Sequence, residues 1–197
     1  VGTQAVKETL KKDCLAVGCD KAVIITDPAL DKADEAAVAT VLAAALKRDE
    51  YDLVLCGLKA IDDDSGQVGI LVADQLGIPH IATITALELG EGSLKAEREI
   101  EGGKEIVEAS LPCLLTCQKG LNEPRLPSLP NIMKAGMKPM ETVTCADLGI
   151  EPPANLVDIK QYSPPPARGE CKMVEAEEPA AVAKELARLL NEEAKVI

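Results

Sequence analysis

Short apolar runs alternate with longer helical patterns along the first part of the chain. The runs at residues 22–26, 53–56 and 81–89 are rich in β-branched and aliphatic residues, as buried strands are. Segments 4–17 and 34–48 repeat Ala, Val and Leu at helical spacing. Because such alternation is typical of a parallel sheet covered by helices, the pattern predicts an α/β fold with a doubly wound, mostly parallel sheet.

The pattern of apolar and polar residues changes after residue 93. Three short runs at 94–100, 104–110 and 112–117 are separated by turn residues, and Glu101-Gly102-Gly103 has the composition of a tight hairpin turn. We therefore expect an antiparallel hairpin added to the parallel sheet. Beyond residue 119, nine prolines between positions 124 and 166 predict an extended arm. An amphipathic helix over residues 178–195 is expected to close the chain.

The composition excludes several classes of function. The chain of 197 residues has no Phe or Trp and a net charge of −12, which argues against binding to nucleic acid, where basic and aromatic side chains are needed. No run of about 18 apolar residues is present, so no membrane span is expected. Seven cysteines without a secretory leader favour reduced thiols in the cytoplasm. Cys113 and Cys117, on one strand about 13 Å apart, are too distant to share a metal ion.

The segment between the 53–56 strand and the next helix is the strongest candidate site. The strand ends at Gly57, and open α/β sheets bind ligands at the carboxyl ends of their strands. Asp64 or Ser65 is expected to cap the following helix. Phosphate would suit the free main-chain N–H groups here, with Gly66 allowing close approach; these groups belong to Ser65, Gly66, Gln67 and Val68.

Three consecutive carboxylates, Asp62, Asp63 and Asp64, allow more than one interpretation. They can be metal ligands, but consecutive side chains point in different directions and no further ligand cluster accompanies them. Helix capping by Asp64, and hydrogen bonds from a ribose or from the loop's own N–H groups to Asp62 or Asp63, are favoured instead. With His80 as the single histidine and no nucleophile placed beside it, a hydrolase has little support.

Three motifs carry a resemblance to a known family. The string A-I-D-D-D-x-x-Q-x-G at 60–69, L-N-E-P-R at 121–125 and L-P-N-I-M-K at 129–134 resemble the electron transfer flavoprotein β subunit. The resemblance runs over the whole chain and implies a flavodoxin-like or adenine nucleotide α-hydrolase-like domain. Residues 1–3 look like the end of a strand whose start is absent, so the chain is expected to be a fragment without the first strand and helix.

The resemblance also implies a ligand. In the family, this loop wraps the phosphate and ribose of AMP or, in electron-bifurcating members, a second FAD. Asp63 stands where many bifurcating members have Gly, which favours AMP. The implied cofactor-binding residues are Gly57, Ala60, Ile61, Asp62, Asp63, Asp64, Ser65, Gly66, Gln67 and Val68.

Protein partners are implied in the same way. The segment 129–134 taken alone can tuck into the domain or form a partner site. In the family it is the recognition loop, whose leucine anchors in an acyl-CoA dehydrogenase-type donor; the implied contact residues are Leu129, Pro130, Ile132, Met133 and Lys134. Glu99, otherwise a solvated strand residue, matches an acidic residue that pairs with an arginine of the α subunit.

The resemblance therefore implies a non-catalytic subunit that relays electrons, together with an FAD-containing α subunit, from acyl-CoA-type dehydrogenases, as in fatty acid oxidation. Residues 1–120 would form the nucleotide-binding domain, 121–145 the recognition region, and 146–197 an arm and helix contacting the α subunit. The alternatives are an enzyme of similar fold acting on ATP, which would need a glycine-rich triphosphate loop that is not found, and a stand-alone nucleotide sensor.

Overall fold

The computed structural model describes residues 1–2, 6–169, 171–174 and 178–196. Contacts divide the chain into two units, Val1–Asp158 and Ile159–Ile197. The helices α1 to α5 are Val6–Thr9, Glu35–Leu46, Val68–Leu76, Leu129–Ala135 and Pro179–Glu192. The strands β1 to β7 are Ala22–Ile25, Leu53–Gly57, His80–Leu89, Ser93–Ile100, Gly103–Ser110, Cys113–Cys117 and Met140–Val143.

The strands of the first unit form two groups. Five strands lie in the order β2-β6-β3-β4-β5, and β1 pairs with β7. The pairs β2–β6, β6–β3 and β1–β7 are parallel, whereas β3–β4 and β4–β5 are antiparallel. This arrangement confirms the α/β fold and the added hairpin, whose two-residue turn is Glu101-Gly102 with Gly102 at φ +81°.

Helix α2 packs against both groups of strands. Its Val41 lies in one buried cluster with Ile25 of β1 and Val143 of β7, and its Ala39 lies in another with Leu114 of β6. The helix is apolar on all sides, as expected for a helix that is covered on more than one face. Asp34 caps its N-terminus by accepting a hydrogen bond from the main-chain N–H of Ala37 at 2.8 Å.

A bulge interrupts β3 where the strand changes its pairing from parallel to antiparallel. The register shifts between Ile81 and Ile84, and Thr83 has a φ of +61°. A positive φ is strained for a β-branched residue. The buried hydroxyl of Thr116 in β6 accepts a hydrogen bond from the N–H of Thr83 at 2.9 Å and thereby holds the bulge.

The N-terminal helix is less regular than its pattern predicts. After the four residues of α1 the helix continues as a π-helical segment, Leu10–Leu15. Residues 3–5 lie outside the described part of the chain. The main-chain N–H of Gly2 donates to the carbonyl of Ile25 at 3.0 Å, so this end of the chain lies along the edge of β1.

The expectation of an extended arm directly after residue 119 is wrong for residues 129–143. This stretch contains α4 and β7, and Met140–Val143 pairs with β1 in parallel. The sequence pattern hid both elements because each is short and Pro130 interrupts the apolar residues, although proline is well tolerated in the first turn of a helix. The domain boundaries after residues 120 and 145 stay predictions.

Beyond Asp158, the described residues of the second unit contain one helix. Helix α5 begins after Glu178, in agreement with the amphipathic pattern, and Arg188 forms ion pairs with Glu185 and Glu192 along it. None of the helix residues is buried within this chain. Among the described residues, no helix is long and apolar enough to cross a membrane.

Candidate functional site

The candidate loop lies where the sequence predicts it. Strand β2 ends at Gly57, beside Cys117 at the end of β6, and α3 begins at Val68. Residues 58–67 therefore connect the carboxyl end of a parallel strand to the amino end of a helix. A Cβ built on Gly57 would meet no atom within 4 Å, so the space above this strand end is open.

The three aspartates of the loop are engaged by the loop itself. Asp62 accepts a hydrogen bond from the N–H of Asp63 at 3.1 Å, and Asp63 accepts one from the N–H of Ser65 at 3.0 Å. The carboxylate of Asp64 forms an ion pair with Lys59 at 2.6 Å. No cluster of His, Cys, Asp or Glu suited to a metal is found in the described residues. Asp62 and Asp63 thus accept hydrogen bonds from the loop's own N–H groups, which is one of the roles that the sequence favoured for them.

The predicted capping of α3 is wrong. The N-cap residue is Gln67, and no side chain accepts from the first turn. Asp64 is turned away because its backbone lies in the left-handed region, at φ +57°, and its carboxylate contacts Lys59. The helix therefore begins without a side-chain acceptor for its first N–H groups.

Of the four N–H groups expected to be free, that of Ser65 is not, because it donates to Asp63. The N–H groups of Gly66, Gln67 and Val68 donate to no acceptor within the described residues. Gly66 adopts φ +63°, which a residue with a Cβ rarely does. Three adjacent donors without an acceptor in the described residues therefore lie at the amino end of α3, where the helix dipole is positive.

A buried hydroxyl completes this arrangement. The Oγ of Ser65 is inaccessible to solvent and is the buried side-chain polar atom without a hydrogen-bond partner in the described part of the chain. Leaving such an atom unsatisfied costs about 1–3 kcal/mol, so an acceptor or donor supplied from outside would be stabilised here. The loop thus presents hydrogen-bonding groups suited to an anionic, oxygen-rich ligand.

Sequence reasoning about the site missed two supporting residues. Lys59 neutralises Asp64, which would otherwise repel an anion. Gly69 allows α3 to approach the strands, since a Cβ there would lie 2.8 Å from Cγ2 of Thr116 and 3.3 Å from Cβ of Cys56. Gly69 belongs to the signature string at 60–69, so its fixed spacing from the loop was the signal from which its supporting role could have been predicted.

The apolar residues of segment 129–134 form one exposed surface on α4. Ser128 caps this helix by accepting a hydrogen bond from the N–H of Asn131, at 3.4 Å. Ala135 is buried against Leu15 and Ala16. The side chains that the sequence analysis singled out stay accessible, with Leu129 71% and Met133 72% exposed and Pro130, Ile132 and Lys134 also exposed. We name the exposed apolar residues Leu129, Ile132 and Met133 the α4 surface.

Glu99 lies on a different element, β4, and is exposed. Its neighbours are paired, Glu97 with Lys104 and Arg98 with Glu105 at 2.5 Å. Glu99 itself takes part in no ion pair within the described residues, so its carboxylate is accessible to an external cation.

Comparison with known proteins adds independent information. The model of the "Electron transfer flavoprotein domain" family matches residues 1–148. The electron transfer flavoprotein subunit beta of Bacillus subtilis is 44% identical over 200 residues, covering 100% of this chain and 76% of that protein. The human subunit beta is 36% identical, covering 95% of this chain and 74% of the human protein.

A third relative has a more specific name. The "Caffeyl-CoA reductase-Etf complex subunit CarD" of Acetobacterium woodii is 35% identical over 187 residues, covering 92% of this chain and 71% of that protein. The family match and the identities agree with the three motifs at residues 60–69, 121–125 and 129–134. The chain therefore belongs to the electron transfer flavoprotein family, among its β subunits, and its role is in electron transfer.

Proposed function

We propose that this chain binds a nucleotide through its phosphate at the loop 57–68, and that the nucleotide is AMP. The observation that carries the proposal is the uncapped amino end of α3 beside the buried, unpartnered Oγ of Ser65. Helix amino ends with free N–H groups bind phosphate because the donors converge and the helix dipole favours negative charge.

The charge of the loop indicates which groups would hold a phosphate. Counting residues 57–68, Lys59 carries one positive charge and Asp62, Asp63 and Asp64 carry three negative charges, so the loop has a net charge of −2. An anion bound here depends on main-chain donors rather than on basic side chains. A second FAD at the same loop is the competing ligand, since its diphosphate offers the same oxygen atoms.

In this proposal the chain is not an enzyme by itself. It forms a heterodimer with an α subunit that carries FAD, and the redox chemistry belongs to that flavin. Glu99, accessible and without an ion pair in the described part of this chain, is suited to an arginine of the α subunit. The apolar side of α5, which has no buried residue in this chain, provides a second contact surface. The heterodimer is cytoplasmic.

The α4 surface is the docking site for the electron donor, an acyl-CoA dehydrogenase-type protein. An exposed leucine and methionine on a capped, anchored helix can enter an apolar pocket without rearrangement of the domain. Lys134 and Lys138 near the end of α4 would steer approach to an acidic partner.

The test is to express this chain with its α subunit, purify the complex and identify the nucleotides released on denaturation. We expect one FAD and one AMP per heterodimer. Ser65→Ala should weaken AMP retention by roughly tenfold, the equivalent of one hydrogen bond to a charged group. Ser110→Ala, at an exposed position of β5, is the matched control and should retain AMP.

If the complex releases two FAD molecules per heterodimer and no AMP, the ligand at this loop is a second flavin and the AMP proposal is wrong. A complex that contains FAD but no nucleotide bound to this chain would overturn the nucleotide site while leaving the family role intact. A colourless chain that hydrolyses ATP without an α subunit would instead favour the alternative enzyme.

A further inference from the structure

Two cysteines lie at the end of the N-terminal helix. Cys14 belongs to the π-helical segment Leu10–Leu15, and the chain reverses at Gly18, where φ is +146°. The main-chain N–H of Cys19 donates to the carbonyl of Cys14 at 3.2 Å. This hydrogen bond has the six-to-one spacing that also occurs in Schellman helix ends, where side chains near the two bonded residues frequently contact each other.

The backbone spacing suits a covalent link. With N and O 3.2 Å apart, standard bond lengths limit the Cα atoms of Cys14 and Cys19 to roughly 7 Å, close to the spacing of about 4.4–6.8 Å found in disulfides. Burial, followed by the neighbouring Cys19, raises the pKa of the Cys14 thiol, which agrees with two sulfur atoms close together. Both side chains can be reached from solvent, since Cys14 is half-buried and Cys19 is exposed.

A second neighbouring pair provides a contrast. Cys56 and Cys117 lie on adjacent strands, and burial and then Cys117 raise the pKa of Cys56. However, Cys117 is paired with Gly57, one position away from Cys56, so the two side chains project from opposite faces of the sheet. Cys56 packs towards α3, whereas Cys117 packs on the other core cluster. Proximity alone therefore does not permit a disulfide in this chain.

The helix end lies directly under α4. Lys138, which follows α4, donates from Nζ to the carbonyl of Leu15 at 2.9 Å and to the carbonyl of Cys19 at 2.6 Å. Ala135 of α4 packs on Leu15 and Ala16. The helix α4, which carries the α4 surface, is therefore held by contacts to the backbone and side chains between the two cysteines.

We propose that Cys14 and Cys19 are a redox modification site, which a small-molecule disulfide such as oxidised glutathione converts reversibly into an intramolecular disulfide. The exposed Cys19 thiolate attacks one glutathione sulfur and releases the first glutathione thiolate. The Cys14 thiolate then attacks the sulfur of Cys19 and releases the second. The two cysteine thiols are oxidised and lose their protons, while one glutathione disulfide is reduced to two glutathione thiols.

The bond would fix the helix end that carries α4. The disulfide closes a loop of six residues whose ends are already hydrogen-bonded in the folded chain. It therefore restricts the locally unfolded helix end more than the folded helix end, and this favours the folded form. Oxidation is therefore expected to slow hydrogen exchange at the N–H of Cys19, whose acceptor is the carbonyl of Cys14.

The sequence provides a direct test. Trypsin cleaves after Lys12 and Lys21, so the peptide 13–21 contains Cys14 and Cys19 and no other cysteine. The folded chain is incubated with oxidised glutathione, quenched with acid, alkylated in denaturant and digested. We expect the peptide from the oxidised chain to lack two hydrogen atoms and to carry neither alkyl group nor glutathione. Treatment with a reductant before alkylation should restore two alkyl groups.

Matched variants complete the experiment. Cys14→Ser should trap glutathione on Cys19, because the second thiol is missing, whereas Cys56→Ser should leave the reaction of peptide 13–21 unchanged. Overturning results would be glutathione on Cys19 of the unaltered chain while Cys14 is still alkylated, or two alkylated cysteines after oxidation. An unaltered chain that links Cys56 to Cys117 just as readily would also contradict the geometric argument.

Discussion

Gly69 of α3 lies so close to Thr116 of β6 that a methyl group on its Cα would be 2.8 Å from Cγ2 of the threonine. This contact sets the depth at which the helix sits on the sheet, and therefore the position of the loop at its amino end. Thr116 cannot move easily, because its side chain is buried and its hydroxyl accepts the hydrogen bond from Thr83.

Gly69→Ala is therefore expected to destabilise the fold by about 1–3 kcal/mol, despite a gain of about 1 kcal/mol in helix propensity. Denaturant unfolding measures the change. Thr116→Ser removes the methyl group but keeps the hydroxyl, so combining it with Gly69→Ala should recover most of the loss. Gly103→Ala, where a Cβ would meet no atom within 4 Å, is the control and should change stability little. Equal losses for Gly69 and Gly103 would argue against the packing explanation.

The hydroxyl of Thr116 can be tested separately. Thr116→Val keeps the shape of the side chain but leaves the N–H of Thr83 unpaired in the bulge, and the expected cost is about 1–3 kcal/mol. Thr142→Val, at an exposed position of β7, is the matched control and should stay within about 0.5 kcal/mol of the unaltered chain. Unchanged unfolding of Thr116→Val would mean that the bulge does not depend on this hydrogen bond.

Leu129→Ala tests the α4 surface. If this leucine anchors the electron donor, the variant should dock roughly ten- to thirtyfold more weakly, because a central anchor contributes about 2 kcal/mol. The rate of flavin reduction at increasing donor concentration measures docking, and nucleotide content should not change. Leu89→Ala is the matched control, since Leu89 is 64% exposed but lies on β3. Loss of nucleotide with docking unchanged would contradict the assignment.

The hydrogen bonds of Asp34 predict that the stability of the fold depends on pH. Hydrogen bonds from the main chain, first from Ala37 and then from Val157, lower the pKa of Asp34 below 3.8 in the folded chain. A carboxylate whose pKa is lowered by folding stabilises the fold fully above its unfolded pKa, and this contribution is lost as the pH falls through the lower folded pKa. Oδ1 of Asp34 accepts from the N–H of Ala37, and Oδ2 accepts from the N–H groups of Leu156 and Val157, which ties the chain beyond β7 to the start of α2.

Asp34→Asn can still cap α2, but its amide nitrogen would face two N–H donors, so we expect a lower midpoint of thermal unfolding at pH 7. The difference from the unaltered chain should be constant above about pH 5 and should shrink below pH 3.8, where the aspartate becomes protonated. Asp31→Asn, at an exposed position, is the control and should leave the profile unchanged. A difference that grows at low pH would contradict the sign of this argument.

Local patterns predicted the strands and helices of residues 22–117 because the longer ones show their period and the short strands β1 and β2 are uninterrupted runs of apolar residues. The start of α2 after Asp34 and the hairpin turn at Gly102 were predicted from local residue types as well. The helix α4 and strand β7 were not, since seven and four residues are too short to establish a period and β7 depends on its partner β1. The resemblance, not the period, drew attention to the α4 surface.

By itself, the sequence determined the fold class, the family and the position of the loop after Gly57, because these depend on composition, periodicity and motif spelling, which are properties of neighbouring residues. Only the tertiary structure decided which groups of that loop are free. Asp64 pairs with Lys59 and does not cap α3, the N–H of Ser65 donates to Asp63, and the Oγ of Ser65 is buried without a partner. The physical reason is that a hydrogen-bonding group is free or satisfied according to which partner the folded chain brings within about 3 Å of it. The identities of the neighbouring residues in the sequence do not determine that partner.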